Sequence, residues 1–513
     1  MLFNSYPFLL VFLPVVLAAS YIAGRAGGRN ALANVAGFAS LVFYGWWDVR
    51  FLPLLLASIA INYGFASAFS RSGRSWLFWT AISVNVAALF LFKYAIFFSN
   101  EVIGRPGFLF GLETIVLPLG ISFFTFHQIA FLCDVRDGTV RVPSFRDYAL
   151  FVSFFPHLIA GPILRLHEFV PQLGLQRFRV NADNIAVGIA IFSIGLCKKT
   201  LLADRFAIMA NDVFAAAERG DPVSVIAAWG GTLAFSLQIY FDFSGYSDMA
   251  IGLSRMFGIR LPENFRSPYK ATSFIEFWRR WHITLSRFLR DYLYKPLGGN
   301  RSGLGRQCAN LMIVMILGGI WHGAGWTFMI WGAIHGAGLT LNHLLNRARR
   351  ALGWGERVPR LVEAACGWLA VQGFVVIAWV FFRAQSVDGA MHLIGALFGL
   401  NNALLVPREL LVLPGLAGAL GAAAVPMAEI PYFHGWVELA MLAAGLVIVL
   451  ALPNTAQIMR RYNPVILVDH LPALVRSRLA WRPTPFWAMA TACLFVVGFL
   501  GMSRVNEFIY FQF

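Results

Sequence analysis

Apolar runs long enough to cross a hydrocarbon core about 30 Å thick recur from one end of this chain to the other. They lie near 6–24, 30–47, 51–69, 76–98, 115–133, 223–241, 308–320, 326–345, 364–382, 434–452 and 485–501. Less regular apolar segments occupy 147–164, 183–203 and 389–425. Inside lipid the backbone must satisfy its own hydrogen bonds, and without the alternation of barrel strands only helices do so. The sequence therefore predicts an all-α, polytopic transmembrane fold. Composition agrees: 58% of residues are hydrophobic and 13% charged, against about a quarter charged in soluble domains. A single integral-membrane domain over 1–513 is expected, with peripheral spans in 1–133, a core in about 147–382 and C-terminal spans in about 389–513.

The opening MLFNSY has no Lys or Arg before the first run, so that run reads as a true span rather than a secretory signal. Loop charge then gives a direction. Arg25 and Arg29, Arg71 and Arg74, and Arg136, Arg141 and Arg146 fall in alternate loops. The loops between them hold only Asp48 with Arg50, and Glu101 with Arg105. The basic loops are expected in the cytoplasm and the N-terminus outside. Further along, basic residues flank 147–164 on both sides, and Lys198 and Lys199 interrupt 183–203. Half-crossing segments of this kind are tolerated where they line protein or a water-filled cavity, so the middle of the chain is expected to surround a tunnel. Cys133, Cys197, Cys308, Cys366 and Cys493 stand singly, which suggests neither a disulfide framework nor a zinc site.

Residues 274–294, FIEFWRRWHITLSRFLRDYLY, place aromatic and leucine side chains at three- and four-residue steps. This predicts one amphipathic helix lying in the membrane interface, with His282 on the flank of its apolar face. Arg279 and Arg280 on its charged side are either an anchor at anionic headgroups or a docking surface for a phosphate-bearing donor. Before it, Asp242 and Asp248 sit in the apolar, small-residue segment QIYFDFSGYSDMAIGL, where a carboxylate is costly unless paired. Asp248 is expected to bond to neighbouring Arg residues, and Asp242 is a candidate for the donor site. His322 lies within CANLMIVMILGGIWHGAGWTFMIWGAIHG, where an ionisable side chain at bilayer depth is a functional-site hypothesis by default. Trp321, Gly323, Gly325 and Trp326 beside it read as the wall of a substrate cavity. The plainer alternative is a structural histidine bonded to a neighbouring helix.

YFDFSGYSDMAIGL, ENFRSPY, EFWRRWHITLSRFLRDYLY, LGGNR and GGIWHGAGWTFMIWGAIHG together resemble the membrane-bound O-acyltransferase (MBOAT) superfamily. HLIAGPILR (157–165), WVFFRA (379–384) and FIYFQF (508–513) are similar to its bacterial branch containing the alginate O-acetyltransferase membrane subunit. The resemblance implies a transmembrane acyltransferase with a central tunnel, His322 matching the family histidine and His282 the second histidine of that branch. It also implies a cytoplasmic thioester donor such as acetyl-CoA and an extracytoplasmic acceptor hydroxyl. The expected setting is the bacterial inner membrane, with a periplasmic SGNH-type acetyltransferase completing transfer to a surface polysaccharide. His127 stands where the alginate enzymes carry an acidic residue, so cellulose, peptidoglycan or another exopolysaccharide stands beside alginate as acceptor.

The residues fit acyl transfer on their own chemistry. Passing an acyl group from thioester to hydroxyl needs a base for the hydroxyl proton and a donor to the developing oxyanion. A neutral, buried His322 is the expected base, and His282 is expected to orient the donor or polarise its carbonyl. Arg279, Arg280, Trp321, Trp326 and Asp242 are the expected substrate- and donor-binding residues. No GxSxG or HExxH pattern occurs, and His322 and His335 lack metal-ligand spacing, so no metal is expected. No permanently bound cofactor and no nucleic-acid partner are expected either. A D-alanyl or lipid O-acyltransferase of the same superfamily is the nearer alternative, and a polysaccharide-lipid transporter the more distant one. The transporter reading is weakened by the lack of repeated halves.

Overall fold

The computed structural model describes residues 1–105, 108, 115–174, 178–353, 359–400, 436–466 and 479–503. Among these the chain is helical, with one isolated bridge between Pro262 and Ile466. The first third comprises α1 (Leu13–Ala26), α2 (Gly28–Gly45), α3 (Leu52–Ser72), α4 (Ser75–Leu89), α5 (Ala95–Phe97) and α6 (Ile121–Arg136). The middle comprises α7 (Phe145–Ser153), α8 (Phe155–Leu158), α9 (Leu166–Gly174), α10 (Ala182–Cys197), α11 (Asp204–Arg219), α12 (Val225–Met256), α13 (Phe274–Arg280) and α14 (Ile283–Leu289). Then follow α15 (Gly303–His322), α16 (Trp326–Leu352), α17 (Arg360–Arg383), α18 (Val387–Leu397), α19 (Trp436–Ala451), α20 (Thr455–Ile458) and α21 (Pro485–Leu500). Among the described residues six continuous helical stretches are long and apolar enough to cross a membrane: Phe8–Ala26, Val49–Ser72, Ser75–Val102, Ala182–Arg219, Gly303–His322 and Arg360–Arg383. The protein is a multi-pass membrane protein. Most of the expected segment 389–425, and the terminal FIYFQF, lie outside the described residues.

Two irregular segments resolve differently. Residues 147–164 form the short, buried α7 and α8, divided at Phe154. A nine-residue helix reaches only about 14 Å, so this segment does not cross, in line with the re-entrant expectation. Residues 183–203 do not half-cross. α10 continues through a π-turn, Lys198–Ala203, into α11, and the two lysines ride inside the turn rather than breaking it. Their charges are matched internally. Lys198 Nζ lies 2.6 Å from Asp248 Oδ2 and 3.0 Å from Thr455 Oγ1. Lys199 Nζ lies 2.9 Å from both Asp204 and Asp242. Asp248 therefore pairs with a lysine of the π-turn after α10, where an arginine was expected.

The seam that holds these pairs is built by glycine. A Cβ on Gly188 would overlap the Gly252 carbonyl, and one on Gly195 the Gly245 carbonyl. Small residues let α10 and α12 approach backbone to backbone, as at many membrane helix interfaces. SGYS accordingly marks tight packing within an unbroken α12, not a helix break.

Contacts between loops define two ends of the bundle. Arg29, after α1, pairs with Asp147, and Arg136, at the end of α6, covers Phe78 and Trp79 at the start of α4. These contacts gather the basic loops at one end. Tyr292 donates to Asp134 near the end of α6, and Arg165 pairs with Asp291, which ties the start of α15 to the same basic end. A 20-residue α15 is about 30 Å long and carries His322 towards the opposite end. The N-terminal segment packs there too, with Phe3 stacked at 5.6 Å on Phe43 near the end of α2.

Candidate active site

Within WHGAGW, residues 323–325 make the turn between α15 and α16. Glycines are required here by space. A Cβ on Gly319 would overlap the Phe328 carbonyl, and one on Gly323 would overlap the Phe328 ring. Phe328 therefore fills the room that the sequence assigned to a cavity beside Gly323. Trp326 is 45% exposed, with its ring 5.7 Å from Phe97. Trp321 does line a cavity, described below.

His322 is the last residue of α15 and 4% exposed. Its ring lies 5.1 Å from Trp331, 5.2 Å from Phe382 and 4.9 Å from Trp321. The imidazole is thus enclosed by protein and not presented to lipid. A cavity of about 80 Å³ at the end opposite the basic loops is lined by Trp47, Lys93, Leu119, Ser122, Trp321 and His322.

His282 arrives from a break in the amphipathic segment. The single helix expected over 274–294 is two helices, α13 and α14, followed by a π-turn Arg290–Tyr294. The division falls at His282, whose φ of 41° lies in the left-handed region that non-glycine residues rarely adopt. Such backbone strain is often stored at functional sites. The break turns the ring into the core, 4.7 Å from Phe243 and 6.4 Å from His322. Nδ1 lies 3.1 Å from Asn264 Oδ1, which also accepts from Thr284 Oγ1 at 2.9 Å. A carbonyl oxygen only accepts, so Nδ1 carries the proton and Nε2 holds the lone pair. Asn264 Nδ2 donates to Ser247 on α12. Asn264 also lines a small void of about 20 Å³, shared with Lys198, Tyr240, Asp248, Glu263 and Thr455.

The other expected site residues lie elsewhere. Asp242 is held by Lys199 in the α10–α12 seam. Arg280 pairs with Glu276 at 2.6 Å and donates to the Arg266 carbonyl. Arg279 is exposed. Nearby, a polar cleft of about 760 Å³ is lined by Ile275, Asn300, Gln307, His343, Arg349 and Arg350. His127 is fully buried, accepting the Leu164 N–H beside His157. Among the described residues no group of three or more His, Cys, Asp or Glu could hold a metal ion.

Two contributors escaped the sequence reading. Lys93 Nζ donates to the Trp321 carbonyl at 2.6 Å and to the His322 carbonyl at 3.0 Å. Its signal was present, since a lysine in the apolar run LFLFKYAIFF is itself costly in lipid. Asn264 lies within ENFRSPY, and nothing local marks it as the partner of His282.

The fold is that of a helical integral-membrane protein, and it brings two buried histidines, His282 and His322, within 6.4 Å of each other. The model of the MBOAT, membrane-bound O-acyltransferase family matches residues 77–382, more than half of the chain. A peptidoglycan O-acetyltransferase of Helicobacter pylori is 42% identical over 439 residues, covering 78% of this chain and 80% of that protein. A probable alginate O-acetylase of Pseudomonas aeruginosa is 43% identical over 415 residues, covering 78% and 76%. A teichoic acid D-alanyltransferase of Streptococcus thermophilus is 26% identical over 322 residues, covering 61% and 72%. The chain belongs to the MBOAT family and is an acyltransferase.

Proposed function

We propose that this protein moves an acetyl group from a cytoplasmic thioester donor of the acyl-CoA type across the bacterial inner membrane, for O-acetylation of a cell-surface glycan. One observation carries the sidedness. His322 lines a cavity at the end opposite the basic loops, and the positive-inside rule assigns those loops to the cytoplasm. The N-terminus is then periplasmic. The glycan comes from the relatives at 42 and 43% identity, whose names specify peptidoglycan and alginate. A D-alanyl acceptor system is disfavoured by the lower likeness of that relative. A periplasmic SGNH-type partner receives the acetyl group and passes it to sugar.

In this reading His322 is the base that takes the acceptor hydroxyl proton as the oxygen attacks the thioester carbonyl. The thiol leaves with a proton. His282, whose Nε2 holds a lone pair and cannot donate to a carbonyl, keeps of its two expected roles that of orienting the donor, and Trp321 walls the outer cavity. Sealed vesicles test the whole proposal. With acetyl-CoA labelled in its acetyl group supplied at the basic face, label should reach an acceptor confined to the opposite face. Label confined to the donor side would refute transmembrane delivery.

Donor docking is assigned to the basic end, where Arg279 is exposed while Arg280 is engaged with Glu276. Arg279→Glu should therefore raise the KM for acetyl-CoA about tenfold at low salt, the gap closing as salt screens the surface. An unchanged KM would leave Arg279 as a membrane anchor.

A further inference from the structure

α15 ends in an unusual way. The last carbonyls of a helix have no partner within it, and many helices close by a left-handed glycine, as Gly353 closes α16 at φ 63°. After His322 the chain is extended at Gly323, φ −161°, so that closure is not made. Three consecutive carbonyls are satisfied from another helix. Tyr94 donates its hydroxyl to Ile320, and Lys93 donates to Trp321 and His322.

Two adjacent side chains on a regular α-helix diverge by about 100° and do not converge on one target. Here they do. Both residues sit in the π-turn Phe90–Tyr94; π-turns are uncommon and concentrate at functional sites. Lys93 also lies 5.9 Å from the centre of the Trp321 ring and lines the same cavity as His322. Among the described residues lining that cavity it is the one Lys or Arg. A cation at the C-terminal end of a helix meets the negative end of its dipole, which fixes the contact electrostatically as well as by hydrogen bonds.

We propose that Lys93, with Tyr94, is the positioning device of the catalytic histidine. By clamping the last three carbonyls of α15, the pair sets where the His322 ring stands over the outer cavity. This rests on the role given to His322 above. A misplacement of about 1 Å at a reacting group can cost roughly a hundredfold in rate. A clamp acting through the backbone should change turnover and leave donor affinity alone.

The test compares wild type, His322→Ala, Lys93→Met, Lys93→Arg and Tyr94→Phe in detergent micelles, with labelled acetyl-CoA and a soluble hydroxyl acceptor. Activity is expressed per folded molecule, counted from thermal unfolding of the same preparation. Lys93→Met should lose about 10- to 100-fold in kcat with KM for acetyl-CoA unchanged. Tyr94→Phe should lose several-fold, and Lys93→Arg should recover most of the loss by keeping the cation and its donors. If Lys93→Met and Tyr94→Phe turn over at the wild-type rate per folded molecule, the clamp only supports the fold and the proposal is overturned. Should Lys93→Met not fold, Tyr94→Phe alone decides by the same criterion. An inactive wild type, or an active His322→Ala, counts against the functional reading. An active wild type with an unchanged clamp variant counts against the clamp alone.

Discussion

His322→Ala should reduce acetyl transfer by about 10²- to 10⁴-fold, the span that a positioned general base contributes, with the protein still folded in the membrane. Folding should survive because Trp331 and Phe382 also pack on each other and on Trp379, while Trp321 packs on Phe123 and Phe126. Donor affinity should hold as well, since the assigned docking residue lies at the basic end. Turnover in detergent, measured alongside the thermal unfolding midpoint, separates the two effects. A loss within a few-fold would move the base elsewhere, His282 being the next candidate 6.4 Å away. That candidate is best removed as His282→Gly. Its φ of 41° suits glycine and strains alanine, so His282→Ala would confound loss of the ring with backbone strain.

Lys199→Met should be the most destabilising of the single substitutions considered. Lys199 holds both Asp204 and Asp242, all three side chains being almost fully buried. Deleting the shared cation leaves two carboxylates close together in low dielectric. Removing one partner of a buried pair costs about 3–5 kcal/mol. Thermal unfolding in detergent, and the yield of folded protein from membranes, should both fall sharply. Neutralising the carboxylates together with the lysine, through Asp204→Asn and Asp242→Asn, should restore much of the loss, because a buried pair is more costly broken than absent. A Lys199→Met protein with the wild-type midpoint would show that the charges are stabilised by other partners. The same variants separate two roles for Asp242. If it serves the α10–α12 seam, Asp242→Asn changes stability and leaves the KM for donor alone. If it serves the donor, the reverse holds.

How far the chain could be read without coordinates depended on the range of the interaction. The helices of the first third fall close to the apolar runs, because a span is fixed by local hydropathy and length. WHGAGW was legible as an interruption between two spans, since clustered glycines seldom continue a helix. Lys198 and Lys199 misled for the complementary reason. Two lysines in an apolar run look like a membrane exit until Asp248, Asp204 and Asp242 are seen beside them. The segment 274–294 has clean helical periodicity, yet it divides at Trp281 and His282. Nothing local announces that break; Asn264, Thr284 and the surrounding rings hold it.

Covalent order alone determined that this is a many-span helical membrane protein, and its motifs placed two histidines in an acyltransferase. Those properties are written in hydropathy and in residue identity, which need no partner to be read. Tertiary structure decided which side chains meet: the turn of His282 into the core, the sharing of Lys199, and the grip of Lys93 and Tyr94 on the end of α15. Each brings in a residue from another element, and a low-dielectric interior makes a polar group depend on whichever partner folding brings to it.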